Sequence, residues 1–406
     1  MERIAVGGQF GYLVPLAVLP MENKFNHKIE KIAVSSIRQF DAEASAIPGI
    51  IKLTLGEPDF NTPEHIKEAA KKAIDDNLSH YTPNAGITEL REATAAYFNE
   101  KYNLHYKPSQ VITTIGATEG IATALQTIMN PGDTLIMPTP VFPIYAPISE
   151  INDGNVVTVD TSADGFVLTP ERLRRVFDEN KDKHFKVLVL VFPSNPTGVT
   201  YSREQLQAIA DVCVEKDIWV LCDEIYAELT YSGTHTSMAE IIPERTLLLS
   251  GLSKSHAMTG WRIGYLFGPQ DFVDQAVKSH QYMVTAPVTN AQYAALEAMK
   301  NGKHDSDVMK AEYLRRRDFV KKELEEAGFE MASPDGAFYL FAKIPAKCGT
   351  DSWKFVRDLA KGARVALIPG ASFGPGGEGY VRLSYAASME SLQEATKRIK
   401  EYVNSL

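Results

Sequence analysis

The chain has 406 residues, 42 Lys and Arg against 51 Asp and Glu, and a formal net charge of −9, with 44% hydrophobic and 23% charged residues. Such a length exceeds one ordinary small core and is expected to build a large domain with a smaller one. The acidic balance argues against a phosphate-tracking nucleic-acid surface, and no apolar run reaches the length of a membrane-spanning helix. Three cysteines, Cys213, Cys222 and Cys348, lack metal-ligand or redox spacing and are read as reduced, mostly buried thiols of a cytoplasmic protein. No metal site is expected.

Residues 1–20 form an apolar segment broken by Gly and Pro, without the uninterrupted core or cleavage site of a signal peptide. They are expected to be an upstream extension, with Met21 the functional start. Residues 21–62 are expected to join the smaller domain, 63–300 to form the large one, and 301–406 to complete the small one. From Pro63 to Lys300 helical and strand-like segments alternate, the signal of an α/β fold with a mostly parallel sheet. Seven strands are predicted: Val111 to Ile115, Thr134 to Met137, Val156 to Val159, Lys186 to Phe192, Ile218 to Cys222, Thr246 to Ser250 and Ile263 to Gly268. Their apolar character predicts burial on both faces. Amphipathic helices are predicted between them, among others over Ile87 to Tyr102, Thr118 to Met129, Arg203 to Glu215 and Val288 to Lys300. A long charged helix, Asp305 to Ala327, then leads to strands Ala337 to Ala342, Val365 to Ile368 and Tyr380 to Tyr385, with helices Trp353 to Lys361 and Met389 to Asn404. The basic clusters Arg172 to Arg175 and Arg315 to Arg317 read as solvated helix faces.

Four places carry chemistry. Gly116 to Glu119 join a strand to a helix, where unpaired N–H groups and the helix dipole offer a seat for phosphate. Asp223 ends an apolar strand, and in a parallel sheet ligands bind beyond the carboxyl ends of the strands. Glu224 beside it reads as a loop acid capping a turn. Lys254 lies between small residues, eight positions before Arg262. An amine there can form a Schiff base with a carbonyl cofactor once its pKa is lowered, and a fixed cation can hold that cofactor's phosphate. Arg382, between Val381 and Leu383, carries a planar fork that matches a carboxylate bidentately. His256 reads as a packed or solvent-facing histidine. The glycine-rich run Gly374 to Gly379 lacks the Lys and Ser or Thr of a phosphate-binding loop and reads as a turn.

Taken together, Leu248 to Gly264 (LLSGLSKSHAMTGWRIG), Asp223 to Tyr226 (D-E-x-Y), Ser194 to Gly198 (SNPTG), Tyr81 to Arg91 (YTPNAGITELR) and Tyr380 to Tyr385 (YVRLSY) resemble the class I and II pyridoxal-phosphate aminotransferases. This resemblance, to the aspartate aminotransferase superfamily of fold type I, covers nearly all of residues 30–400. It implies pyridoxal 5'-phosphate bound at Lys254, with Asp223 beside the pyridine nitrogen, and Tyr226 and Asn195 at the 3-oxygen. It assigns the phosphate to Ala117, Thr118, Ser253 and Arg262, ring stacking to Phe142, and the substrate side to Gly56, Asn195 and Arg382. It implies cis peptide bonds before Pro140 and Pro196, and a homodimer in which Tyr81 reaches the neighbouring subunit's phosphate. The expected reaction is ping-pong transfer of an α-amino group through a Lys254 Schiff base to a 2-oxo acid such as 2-oxoglutarate. Aromatic residues near the motifs (Phe60, Tyr81, Phe142, Tyr145) favour an aromatic or hydrophobic donor. Aspartate or N-acetyl-diaminopimelate transfer, and a carbon–sulfur β-lyase on the same fold, are the alternatives.

Overall fold

Seven short runs rich in Val, Leu and Ile pair into one sheet, and the computed structural model, which describes residues 25–406, gives their order. In chain order they are β2 (Val111–Thr114), β3 (Thr134–Thr139), β4 (Asn155–Asp160), β5 (Phe185–Val191), β6 (Trp219–Asp223), β7 (Thr246–Gly251) and β8 (Gly264–Phe267); β1 (Ile51–Lys52) lies elsewhere. The order across the sheet is β2-β8-β7-β6-β5-β3-β4. All neighbours are parallel except at β8, which runs antiparallel to both β7 and β2. Reversing twice across β8 leaves β2 parallel to the rest, so the carboxyl ends of β2, β3, β5, β6 and β7 share one edge of the sheet. That edge is where ligands of open parallel sheets bind.

All seven predicted strands are present, and so are the named helices, as Thr88–Tyr102, Gly116–Ile128, Arg203–Glu215 and Thr289–Asn301. The helix Arg203–Glu215 begins with a capping box. Ser202 Oγ accepts from Gln205 N, and Gln205 Oε1 accepts from Ser202 N. One expectation needs correction: β4 is not buried on both faces, since only Val159 of its six residues is buried. It closes the edge of the sheet, where alternation with polar residues replaces the continuous apolar run of β5 to β7.

After the helix Asp305–Glu326, four strands form an antiparallel sheet: β9 (Glu330–Met331), β10 (Tyr339–Lys343), β12 (Ile368–Pro369) and β13 (Tyr380–Ser384), ordered β12-β13-β10-β9. The predicted strand Val365 to Ile368 is split. Its first part, β11 (Val365–Ala366), pairs in parallel with β1 instead. The link continues past β1, as Leu53 N donates to Ala366 O at 3.0 Å and Ser384 N donates to Leu53 O at 2.9 Å. The arginine cluster of the long helix is also corrected. Arg316 is 7% exposed, its Nη1 within 2.9 Å of both Asp59 oxygens and its Nε 2.8 Å from Glu312. A guanidinium is buried there because two carboxylates meet it and the rings of Phe60 and Tyr313 flank it.

Residues 34–406 form one compact unit. In the other, residues 27–31 make a short helix whose Asn26 side chain accepts from Lys28 N. The expected extension, residues 1–20, lies outside the described residues. No described helix is long and apolar enough to cross a membrane, and among the described residues no cluster of His, Cys, Asp and Glu could hold a metal ion.

Candidate active site

Each parallel strand delivers a residue to the shared edge. β7 ends at Gly251 and turns directly into the helical turn Leu252–Ser255, which carries Ser253 and Lys254. The Lys254 amine donates to Gly56 O at 2.5 Å and lies 5.8 Å and 5.9 Å from the ring centres of Tyr226 and Phe338. Although the residue keeps some surface, its amine is enclosed, and burial above all lowers its pKa to about 8. Glu57 and Asp223 pull it back up, whereas Arg262 and Arg382 push it further down. A neutral amine, the nucleophilic form, is therefore populated near physiological pH.

β6 ends at Asp223, which is buried and accepts from Tyr145 Oη at 2.7 Å and from Ile225 N at 3.2 Å. Burial raises its pKa, opposed by these two hydrogen bonds and the Lys254 charge. A buried carboxylate in this state is stabilised by any cation placed beside it. Glu224 is separated from that role. It is buried against His235 at 2.7 Å and accepts from Ser237 Oγ and Met238 N, which matches the capping reading.

β2 leads into the helix Gly116–Ile128, whose first N–H groups have no intrahelical acceptor. Gly116 takes a φ of +71°, and a methyl group on it would collide with the Arg262 guanidinium. Gly264, which opens β8, leaves equally little room: a Cβ there would fall 2.5 Å from Ala117 N. Glycine at both positions brings Arg262, in a left-handed backbone conformation at φ 55°, to the start of the helix beside Ala117 and Thr118. Thr118 and Arg262 are exposed and Ser253 is buried. An anion seated there would meet backbone N–H groups, a helix dipole and a guanidinium.

β5 continues into residues 192–198, with cis bonds before Pro193 and Pro196. β3 continues into Pro140, also preceded by a cis bond, and Phe142, which is partly exposed. The expected cis bonds before Pro140 and Pro196 are present; the one before Pro193 was not anticipated. Asn195 Oδ1 accepts from Arg382 Nη1 at 2.9 Å, joining the large sheet to β13. Arg382 is 2% exposed on an interior strand, so it is not a surface residue of a sheet edge. Its Nη2 donates to Thr54 O at 2.6 Å, and its Nε is buried without a partner among the described residues. Tyr81 stands apart from this cluster at 90% exposure.

Two contributors escaped the sequence reading. Tyr145 was visible only as an aromatic near Phe142, and nothing in its spacing signals a hydrogen bond to Asp223. Tyr339 read merely as a strand residue, yet its hydroxyl meets that of Tyr226 at 2.7 Å and its ring carries the Arg382 guanidinium at 4.5 Å.

The model of the family "Aminotransferase class I and II" matches residues 48–399. The chain is 45% identical over 384 residues to a Bacillus subtilis protein named "Probable N-acetyl-LL-diaminopimelate aminotransferase", covering 94% of this chain and 96% of that one. It is 40% identical to aromatic-amino-acid aminotransferase 2 of Thermococcus litoralis, over 92% of this chain and 97% of the relative. Among solved structures, aspartate aminotransferase from Thermus thermophilus with maleate superposes with a TM-score of 0.89 at 36% identity, over 94% of this chain and 100% of that one. The chain belongs to the class I and II aminotransferases. It is a transaminase of fold type I, an enzyme of amino-group transfer.

Proposed function

We propose that the protein is a pyridoxal-phosphate-dependent aminotransferase that moves the α-amino group of an L-amino acid, preferentially an aromatic or hydrophobic one, to a 2-oxo acid such as 2-oxoglutarate. The observation that carries this reading is Lys254, an enclosed amine with a pKa lowered to about 8, between a buried carboxylate, Asp223, and a buried guanidinium, Arg382. The residues fit the cofactor. The glycine cradle at Gly116 would hold its phosphate against Ala117, Thr118, Ser253 and Arg262. Asp223 would face the pyridine nitrogen, Phe142 the ring face, and Tyr226 and Asn195 the 3-oxygen. When bound, pyridoxal phosphate supplies a carbonyl carbon for the amine and a protonated ring that takes up electrons.

The chain's own part is binding and proton movement. Arg382 clamps the substrate α-carboxylate, its Nε, without a partner among the described residues, supplying a donor that Asn195 and Thr54 do not occupy. Lys254, once its amine is free, would take the α-proton as general base and return it as general acid to the cofactor's carbonyl carbon, on the far side of the substrate nitrogen. The same site handles donor and acceptor in turn, which gives ping-pong kinetics.

The aromatic lean is supported by Phe338, Tyr313 and Phe60 beyond Lys254, Phe60 packing edge to face on Tyr313 and Tyr313 lying tilted against Phe338. The cation beyond them, Arg316, is engaged by Asp59 and Glu312. The homodimer is supported by Tyr81 and Tyr282, both large and exposed, on segments tied together by Asn84 Nδ2 donating to Thr285 O and Thr289 Oγ1 to His80 O. The proposed domain division, 21–62 with 301–406 against 63–300, is supported by the pairing of β1 with β11. A cytoplasmic address is consistent with the three free cysteines.

The test is the visible absorption of the cofactor-loaded enzyme after single additions of L-phenylalanine, L-aspartate and N-acetyl-LL-diaminopimelate. Fast conversion of the band by phenylalanine, with turnover once 2-oxoglutarate is added, is expected. Conversion by N-acetyl-LL-diaminopimelate alone would move the assignment to the activity named for the Bacillus relative. Ammonia release from cystathionine without an acceptor would count against the transfer reaction as principal activity. In the same assay Arg382→Lys is expected to raise KM for the donor about 100-fold, because an ammonium cannot reproduce the fork. An unchanged KM would remove Arg382 from the clamp.

A further inference from the structure

Tyr339, on β10, is fully buried where three parts of the site meet. Its hydroxyl is 2.7 Å from that of Tyr226. The Arg382 guanidinium lies over its ring at 4.5 Å, a cation–π contact out of reach of solvent. A Cβ on Gly56 would fall 2.5 Å from the same hydroxyl, and Gly56 O accepts from Lys254. One side chain therefore touches the carboxylate clamp, the tyrosine at the cofactor oxygen and the segment that receives the lysine.

Resting on the function proposed above, we propose that Tyr339 is a positioning residue that fixes the direction of the Tyr226 hydroxyl and holds the Arg382 fork in place for the substrate carboxylate. Two hydroxyls at 2.7 Å share one hydrogen. If Tyr226 gives its own hydrogen to the cofactor oxygen, the shared hydrogen comes from Tyr339. Burial keeps both phenols protonated, Tyr226 well above the usual tyrosine range and Tyr339 raised despite the nearby Arg382 charge, so the chain keeps its direction. A hydrogen bond received by Tyr226 strengthens the one it donates. The Arg382 guanidinium lies 4.5 Å over the Tyr339 ring while its Nη1 and Nη2 donate to Asn195 Oδ1 and Thr54 O, which holds the group in place before substrate arrives.

The experiment compares cofactor-loaded wild type, Tyr339→Phe and Tyr339→Leu. Three quantities are read: the pH midpoint of the cofactor's visible band, the Kd of an unreactive carboxylate (3-phenylpropionate or maleate, according to the preferred donor), and kcat with KM. Phenylalanine keeps the ring and deletes the hydroxyl. Its midpoint is expected to rise by about half a unit, because a weaker Tyr226 donor stabilises the deprotonated chromophore less, with kcat lowered and carboxylate Kd within about twofold. Leucine deletes both contacts and is expected to weaken carboxylate binding a further tenfold or so. A phenylalanine variant that titrates and turns over like wild type overturns the proposal, and so does a leucine variant that binds the carboxylate as tightly. If leucine prevents folding, the near-isosteric phenylalanine variant decides. A wild type with no visible band after loading would instead overturn the proposed function.

Discussion

Replacement of Lys254 by alanine is expected to lower kcat/KM on the order of 10⁴-fold and to abolish the visible band of the bound cofactor. On the proposed function the substitution would remove both the amine that holds the cofactor and the base that moves the α-proton. Lys254→Arg should be as inactive, since a guanidinium keeps the charge but has no neutral form at working pH. The contrast separates nucleophile from mere cation. The pH dependence follows from the same environment. With its pKa lowered to about 8, the free amine accumulates as pH rises through 8, well below the 10.5 of an ordinary lysine. The rate at which cofactor-free protein takes up added pyridoxal phosphate should therefore climb between about pH 7 and 9 and level off above it. A rate still rising steeply beyond pH 10 would mean that Lys254 is not enclosed as described. Restoration of proton transfer in Lys254→Ala by a small added amine would identify the lost function as basic catalysis.

Asp223→Asn is expected to cost on the order of 10³-fold in kcat with a smaller change in donor KM. An amide of the same shape keeps the contact with Tyr145 but cannot hold a proton on a pyridine nitrogen. Tyr145→Phe provides the comparison. It deletes one hydrogen bond to the carboxylate and leaves its charge, so its effect should stay within about tenfold. Equal losses in the two variants would show that orientation, not charge, is what Asp223 contributes. Stopped-flow measurement of the first half-reaction distinguishes them, because only the charge acts on the chemical step.

Where side-chain periodicity and end-of-strand chemistry determine structure, this chain was readable in advance. The seven strands lie where apolar runs are bounded by turn residues, and Asp223 ends one strand while Lys254 lies just past another, where a parallel sheet presents its ligands. The motif around Ser253 to Arg262 was legible for a further reason. Glycines at 116 and 264 leave space that only a close approach of backbone and guanidinium uses, and that demand appears in the sequence as small residues. What remained hidden depends on partners far along the chain. Arg316 looks like a solvated helix residue because Asp59, its counter-ion, is 257 positions away. β4 looks like its buried neighbours because a position at the sheet edge is a property of strand order, not of local composition. Tyr339 is ordinary in β10 until Tyr226 and Arg382, from two different sheets' surroundings, are brought to its hydroxyl and its ring.

The bond from Arg382 Nη2 to Thr54 O spans 328 positions, and that from Arg382 Nη1 to Asn195 spans 187. During synthesis β1 and the Thr54 and Gly56 segment leave the ribosome long before β13. The residues proposed to seat a phosphate, and Lys254 itself, all lie before position 265, whereas the proposed carboxylate clamp is incomplete without β13. Closing it carries the entropy of one of the longest loops the chain can make. The residues proposed to hold the cofactor's phosphate and aldehyde carbon are thus all translated before the arginine proposed to admit its substrate.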